Sequence, residues 1–379
     1  MLSDEQIAIQ DMARNFAADQ LAPHAMKWDE EKIFPTDTLR EMAGLGFAGI
    51  YLQEEHGGSG LSRFDAALIF ESLSGGCTST AAFMTIHNMA SWMIDSFGNP
   101  VQRAKYLPKL TSMEMIASYC LTEPGSGSDA GAMRSRAVQD GDHYVLNGSK
   151  AFISGAGTSD IYVAMVRTGD AETDKGPKGV SCFIIEKDTP GLSFGANEKK
   201  MGWNSQPTRQ VIFEDCRVPV ENRIGEEGEG FKFAMMGLDG GRLNIAACSL
   251  GTAQRAYEKA VEYAKDREQF GQSIAEFQGI QFKLADMATD LEAARLMLYD
   301  AAKTLDAGKP EKTRKSAMAK RFVTDACFSV ANEALQIHGG YGYLQDYEVE
   351  RMVRDLRVHQ ILEGTNEIMR MIIARDILK

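Results

Sequence analysis

The sequence predicts a multidomain α+β protein: an N-terminal helical domain over residues 1–117, a small antiparallel β-barrel domain over 118–228 and a C-terminal four-helix bundle over 229–379. Three observations carry this. Apolar residues recur every three or four positions in the first and last parts. Between them lie short β-branched and aromatic runs of near period two, separated by glycine-rich turns. The length of 379 residues exceeds what one small core organises, so two or three domains are expected.

In order along the chain, Ser3-Asp4-Glu5-Gln6 reads as a cap and first turn ahead of Ile7, Ile9, Met12 and Phe16. Pro35-Thr36-Asp37 starts another helix, stopped at Gly44 and Gly46. "RFDAALIFESLSGG" and "STAAFMTIHNMASWMIDSFGNP" follow, each closed by glycine or Gly-Asn-Pro. The texture changes near Ile116. "HYVLNGSKAFIS", "SDIYVAMVRT", "GVSCFIIEK" and "RQVIFEDCRVP" alternate as strands, with Asn147-Gly148 and Gly155-Ala156-Gly157 as turns. "GDAETDKGPKG" is expected to be a mobile hairpin loop. After "GEEGEG" the helical period returns in four long segments, near 231–266, 276–307, 311–337 and 346–378.

Composition excludes several classes. No apolar run approaches the ~20 residues of a membrane span. The net charge of −12 argues against nucleic-acid binding, which wants a basic stripe, and leaves room for docking of a basic partner. The six cysteines are scattered, without CxxC, in apolar settings, so buried thiols in a reducing compartment are expected. The six histidines include no HExxH and no close pair; no metal site is expected. The acidic, helical start is neither a signal nor a transit peptide. The expected location is the bacterial cytoplasm, or the mitochondrial matrix if a leader has been removed.

Four stretches stand out. "YCLTEPGSGSDAGA" contains Gly125-x-Gly127-x-x-Ala130, but no βαβ unit surrounds it, so a dinucleotide fold is not supported. It is either a surface turn or a small-residue loop that cradles a polar cofactor or thioester tail. In "ALQIHGGYGYLQDY", Gly339-Gly340 is either a helix C-cap or a place of close ligand approach. "GLDGGRLNIAAC" puts two glycines inside a helix, at about 0.5–1 kcal/mol each relative to Ala, which asks for a packing or ligand reason. Arg242 beside them is an ion-pair residue or an anion contact. In "RVHQILEGTNEIMR", a carboxylate directly follows Ile361-Leu362 and a glycine directly follows the carboxylate. Glu363 is either a solvated charge at a helix edge or a base aimed by the break.

Together these segments resemble the acyl-CoA dehydrogenase family over essentially the whole chain. "YCLTEPGSGSD", "LNGSKAFISGA", "KKMGWNSQPTRQVIFEDCRVP", "KDREQFGQ", "LQIHGGYGY" and "RDLRVHQILEGTNEIMR" carry the resemblance, in the family's order. The resemblance implies FAD between the β domain and the bundle, Glu363 as the base that takes the proton next to a thioester carbonyl, and electrons passed to an electron-transfer flavoprotein. It further implies flavin contacts from Tyr119, Cys120, Leu121, Thr122, Glu123, Pro124, Gly125, Ser126, Gly127 and Ser128, with Ser128 also near the CoA chain. Phe152, Ile153 and Ser154 would lie against the ring system, and Thr365, Asn366 and Glu367 on the cofactor side of the base. Arg267, Phe277 and Gln278 resemble contacts to the diphosphate and adenine side. So do Gln336, Ile337, His338, Gly339 and Gly340, which in the family reach a neighbouring subunit's FAD; a homotetramer, as a dimer of dimers, is therefore implied. Asp239, Gly240, Gly241, Arg242 and Arg375 resemble the substrate-side contacts. Some members carry the base at the place of Gly241; this sequence has Glu at 363 instead.

"GCTSTAAFMTIHNMASWMIDSFGN" and "GWNSQPTR" resemble the subgroup acting on isobutyryl-CoA in valine breakdown, so methacrylyl-CoA is the expected product. On the helix of the first stretch, Ala81, Thr85 and Met89 share one face, either as an acyl-pocket wall or as core packing. The alternatives are a dehydrogenase for other short or 2-methyl-branched acyl-CoAs, an oxidase, and a non-catalytic acyl-CoA-binding or assembly protein.

Overall fold

The structure is a computed structural model describing residues 2–169 and 176–379. The tip of the expected hairpin loop, residues 170–175, lies outside the described residues. Six helices come first: α1 (Asp4–Phe16), α2 (Ala25–Glu31), α3 (Thr36–Gly44), α4 (Arg63–Ser74), α5 (Thr78–Phe97) and α6 (Pro100–Thr111). The cap read at Ser3 is present: its hydroxyl accepts from the Gln6 N–H at 3.2 Å and its own N–H donates to Gln6 Oε1 at 3.1 Å. Ser62 and Asn99 begin α4 and α6 with the same reciprocal arrangement. Helix α5 is buried almost all round, because it packs against both the sheet and the bundle.

The middle part is one eight-stranded sheet. Its strands are β1 (Ala117–Cys120), β2 (Arg136–Asp140), β3 (His143–Ser154), β4 (Ile161–Arg167), β5 (Val180–Glu186), β6 (Leu192–Phe194), β7 (Thr208–Pro219) and β8 (Arg223–Ile224). The hydrogen-bonded path runs β6-β7-β3-β2-β4-β5-β8, with β1 on β4. Pairing is antiparallel except for β1 on β4 and a single β2–β4 contact at Arg136 and Arg167. Every residue of β4 is buried, and its period-two alternation explains why. Ile161, Val163 and Met165 join the core shared with α5 and α6, while Tyr162, Ala164 and Val166 join the core inside the sheet.

The C-terminal part is built from α7 (Gly230–Asp266), α8 (Gln278–Asp306), α9 (Lys312–His338), α10 (Val349–Arg357) and α11 (Asn366–Ile377). The fourth segment of the bundle is thus not continuous. A 3₁₀ turn at Val358–Gln360 and the stretch Ile361–Thr365 separate α10 from α11. The glycines inside α7 have packing reasons. A side chain at Gly240 would run into the Arg63 guanidinium, and one at Gly241 would meet the carboxylate of Glu363. All six cysteines are buried free thiols. Among the described residues, no helix is long and apolar enough to cross a membrane.

Candidate active site

The break that exposes Glu363 is a backbone event. Ile361 and Leu362 N–H both donate to the Val358 carbonyl, at 2.9 and 3.0 Å, closing the helix. The chain then turns through two left-handed residues, Glu363 at φ +56° and Gly364 at φ +89°. Thr365 starts α11 as its cap, its hydroxyl accepting from the Ile368 N–H. Glycine adopts this conformation readily; Glu363 does so at a cost, and such strain clusters at functional sites.

The turn delivers the carboxylate into a cavity of about 1870 Å³ that runs between the sheet and the helices. Glu363 Oε2 is buried and has no hydrogen-bond partner. Opposite it stands Gly241, where a Cβ would lie 2.5 Å from that oxygen. Burial pushes the Glu363 carboxyl up to about 7, against the opposing pull of the Arg242 and Lys320 charges. The residue keeps some accessible surface only because the cavity reaches it; protein surrounds it otherwise. Tyr119 also lines the cavity with a buried, unpartnered hydroxyl. Burial, reinforced by the Glu363 charge, raises its pKa well above the ordinary phenol range.

Arg242 takes the first of the two roles left open for it, the ion pair, and stands where the second would require it. It pairs with Asp239 at 2.6 Å, its Nε donates to the Glu363 carbonyl at 3.4 Å, and it lines the cavity. Asp239 also accepts from Thr313 and does not line the cavity.

The loop 121–134 forms another wall, and a buried ion pair holds it. Lys150 Nζ, fully buried on β3, donates to Glu123 Oε1 at 2.8 Å and to the Leu121 carbonyl at 3.1 Å. The same carboxylate accepts from the Arg134 and Ser135 N–H groups at 2.6 and 3.0 Å. Both ends of the loop are therefore tied to one buried pair. Of the predicted run, Tyr119, Leu121, Thr122, Gly127 and Ser128 line the cavity. Cys120 instead packs in the sheet core, Glu123 is occupied by Lys150, and Pro124, Gly125 and Ser126 form the turn behind the wall.

Phe152, Ile153 and Ser154 all line the cavity, with Phe152 left-handed at φ +59°. Thr365 and Arg375 line it too. Asn366 does not: one residue further along α11, its side chain faces α9 and bonds Lys320, Thr324 and Asp325. Glu367 is exposed. Gly240 and Gly241 sit behind the wall, acting by what they leave room for. Arg267, Ile337, His338, Gly339 and Gly340 gather at a second, separate pocket of about 370 Å³. Phe277, Gln278 and Gln336 lie outside its lining.

Several lining residues carried no predicted role. Trp203, left-handed at φ +55°, has its N–H on Asp355 at 2.6 Å and its indole N–H on His359 Nε2 at 3.2 Å. His359 is bonded through Nδ1 to Ser249 at 2.7 Å, and burial holds its pKa down to about 3. A neutral imidazole with its proton on Nδ1 satisfies both bonds. Lys200 lines the cavity and donates to the Gln206 carbonyl and the Thr208 hydroxyl. "GWNSQPTR" carried the family resemblance, yet nothing in its spacing marks Trp203 as a wall.

Three family descriptions match this chain in order: acyl-CoA dehydrogenase N-terminal domain over residues 3–114, middle domain over 118–216 and C-terminal domain over 228–378. The mitochondrial isobutyryl-CoA dehydrogenase of Bos taurus is 58% identical over 378 residues, spanning 100% of this chain and 90% of that protein. A chain solved in a study of the electron transferring flavoprotein of Acidaminococcus fermentans superposes with a TM-score of 0.97 at 43% identity, covering 100% of this chain and 99% of that one. Butyryl-CoA dehydrogenase from Megasphaera elsdenii superposes at 0.96 with 40% identity, covering 100% and 99%. With all three domains matched and identity sustained end to end, the chain belongs to the acyl-CoA dehydrogenase family.

Proposed function

We propose that this chain dehydrogenates a short branched acyl-CoA, isobutyryl-CoA to methacrylyl-CoA, with Glu363 as the base and FAD as its cofactor. The observation that carries the reading is the buried, unpartnered carboxylate of Glu363 in a cavity far larger than one ligand needs. Pockets for a single small molecule hold roughly 300–1,000 Å³, against about 1870 Å³ here. Two sizeable ligands side by side account for that volume. The unpartnered Tyr119 hydroxyl and the Thr122, Ser154, Trp203 and Thr365 wall suit a flat polar cofactor. FAD, when bound, supplies the two-electron acceptor that dehydrogenation requires.

The chain's own residues do the rest. A proton next to a thioester carbonyl is weakly acidic, so its removal depends on positioning. A carboxylate whose pKa is raised to about 7 is a stronger base than an ordinary one and remains half-ionised near neutral pH. Bleaching of a yellow holoprotein by isobutyryl-CoA without oxygen tests the reading. A holoprotein that binds the thioester and stays oxidised overturns it; rapid peroxide formation in air points to an oxidase instead.

The short pocket rests on α7. Met89 and Met93 lie 3.6–3.8 Å from where a side chain at Gly237 would start. Gly237 is four residues before Gly241, and so about 6 Å along the same helix face. Met89, which lines the cavity, thus bounds it about one helical turn from Glu363, with Met93 packed in the core behind it. Of the three residues expected as a wall, Thr85 and Met89 line the cavity, joined by Ile86, whereas Ala81 packs in the helical core. One methylene contributes about 0.8 kcal/mol, while overpacking a wall costs about 1–3 kcal/mol. Isobutyryl-CoA is therefore expected to exceed hexanoyl-CoA strongly in kcat/KM and butyryl-CoA weakly. Met89→Gly shifts that ratio several-fold toward longer chains. Faster turnover of hexanoyl- than isobutyryl-CoA by the wild type defeats the short-pocket reading.

We also propose a homotetramer, a dimer of dimers, and the second pocket supports the subunit contact that it requires. It is separate from the main cavity, carries Arg267 over the Tyr341 ring, and is flanked by exposed Phe270, Tyr343 and Leu344. We read it as the contact to a neighbouring subunit's cofactor. Arg267→Ala is then expected to weaken FAD retention and assembly together, since ligand binding and association are linked. Sedimentation of a monomer that holds FAD tightly overturns this. The Acidaminococcus relationship supports an electron-transfer flavoprotein as the electron acceptor.

A further inference from the structure

The left-handed turn at Glu363 needs something to hold it, since a non-glycine residue stays in that conformation only when its surroundings over-determine it. One group beneath it does so. Lys320, on α9, is fully buried. Its Nζ donates to the Gly364 carbonyl at 2.8 Å and to Asn366 Oδ1 at 2.9 Å. The Asn366 amide is held in turn by Thr324 Oγ1 at 3.0 Å and Asp325 Oδ1 at 2.7 Å. The residues immediately after the base are therefore bonded to one ammonium.

That ammonium makes no ion pair with a carboxylate among the described residues. A buried charge without a partner is costly, and a side chain of the same length without charge would fill the space at less cost. The charged groups that act on it are Glu363 from the turn, Arg242 from α7, Asp325 from its own helix and Glu367 from α11. His359 is also within its field but is held neutral. Burial lowers Lys320 to about 8, and of these charged groups Glu363 acts most strongly to keep it protonated. In the other direction, Arg242 and Lys320 are the two cations that favour ionised Glu363. Arg242 is already paired with Asp239; Lys320 is not so neutralised.

We propose that Lys320 is a positioning residue for Glu363: its buried ammonium fixes the Gly364–Asn366 turn that aims the carboxylate, and its charge, unpaired with any carboxylate among the described residues, favours the ionised carboxylate against the burial that disfavours it. The proposal rests on the reading of Glu363 as the base. It adds a buried cation that does not line the cavity and, together with Arg242, lowers the pH at which the base ionises from where burial alone would put it.

The test compares holoenzyme carrying Lys320→Met, which removes charge and donors, with Lys320→Gln, which keeps donors and removes charge. Two quantities are read: the acidic limb of kcat/KM for isobutyryl-CoA, and the infrared carboxyl stretch of Glu363 as a function of pH, assigned by its loss in Glu363→Gln. Ionised Glu363 is the active form, so removing a neighbouring positive charge moves both titrations to higher pH, by about one unit. The rate on the acidic side of the limb then falls about tenfold. Lys320→Gln is expected to recover thermal stability relative to Lys320→Met while keeping the shifted limb. Titrations that coincide with wild type in both variants reduce Lys320 to a structural role and overturn the proposal. If Lys320→Met does not accumulate as folded protein, Lys320→Gln decides. Should Glu363→Gln itself turn over, the base reading fails, while the infrared titration of Glu363 in the Lys320 variants still measures the coupling.

Discussion

Glu363→Gln retains the fold and FAD and loses flavin reduction by isobutyryl-CoA, by on the order of 10²–10⁴ as for a general base. The amide is isosteric with the carboxyl but takes no proton. Its environment already tolerates a neutral group: Oε2 has no partner to lose, and the Gly364 carbonyl that Lys320 holds is backbone. Stopped-flow reduction under anaerobic conditions measures the loss, and near-normal reduction removes Glu363 from the mechanism.

The same substitution carries an opposite expectation for stability. Burial raises the folded carboxyl from 4.5 to about 7, so the folded state favours the protonated form. Below the unfolded pKa, both states are protonated and the group is neutral for stability. As pH rises through 4.5 the unfolded chain ionises first, and stability falls until the folded carboxyl ionises near 7. Above that the cost is complete, at most about 3 kcal/mol from 1.36 kcal/mol per unit, less the share that cavity water restores. The ligand-free Gln variant is therefore expected to melt higher than wild type above pH 7 and alike in acid. A lower melting temperature for the variant at alkaline pH contradicts the buried, strained carboxylate. The arrangement is a trade of stability for a poised base.

Much of this was legible in the residues, and the illegible part has a physical pattern. Ser3 as a cap and the Glu363-Gly364 break are local features, in which the sequence signal and the structural cause lie within a few residues. The α5 wall is different. That helix is buried on nearly all sides, so its periodicity does not say which stripe meets the cavity; Thr85 and Met89 do, Ala81 does not. Asn366 was expected beside the cofactor with Thr365, but successive helical residues point about 100° apart, which turns Asn366 onto α9. Lys150 and Lys320 are least legible. A lone lysine in a strand or helix reads as a surface charge, and only long-range packing makes these two the buried anchors of the loop and of the turn.

Gly241→Ala is expected to damage catalysis nearly as much as altering the base, while leaving the chain folded. A helix interior favours alanine over glycine by about 1 kcal/mol, so the backbone of α7 does not object. The added Cβ would stand 2.5 Å from Glu363 Oε2 and 2.9 Å from its carboxyl carbon, inside contact distance. The carboxylate is the movable partner, because it ends a side chain with room in the cavity, whereas α7 is locked among α4, α5, α8 and α9. It must swing away by an ångström or so, and a misplacement of about 1 Å at a reacting group costs on the order of 10² in rate. The expected signature is a fall in kcat with little change in FAD content or melting temperature. Wild-type kcat in Gly241→Ala would mean that the carboxylate works from a position other than the one opposite Gly241. A variant that loses FAD or unfolds would place the clash in the scaffold instead of the base.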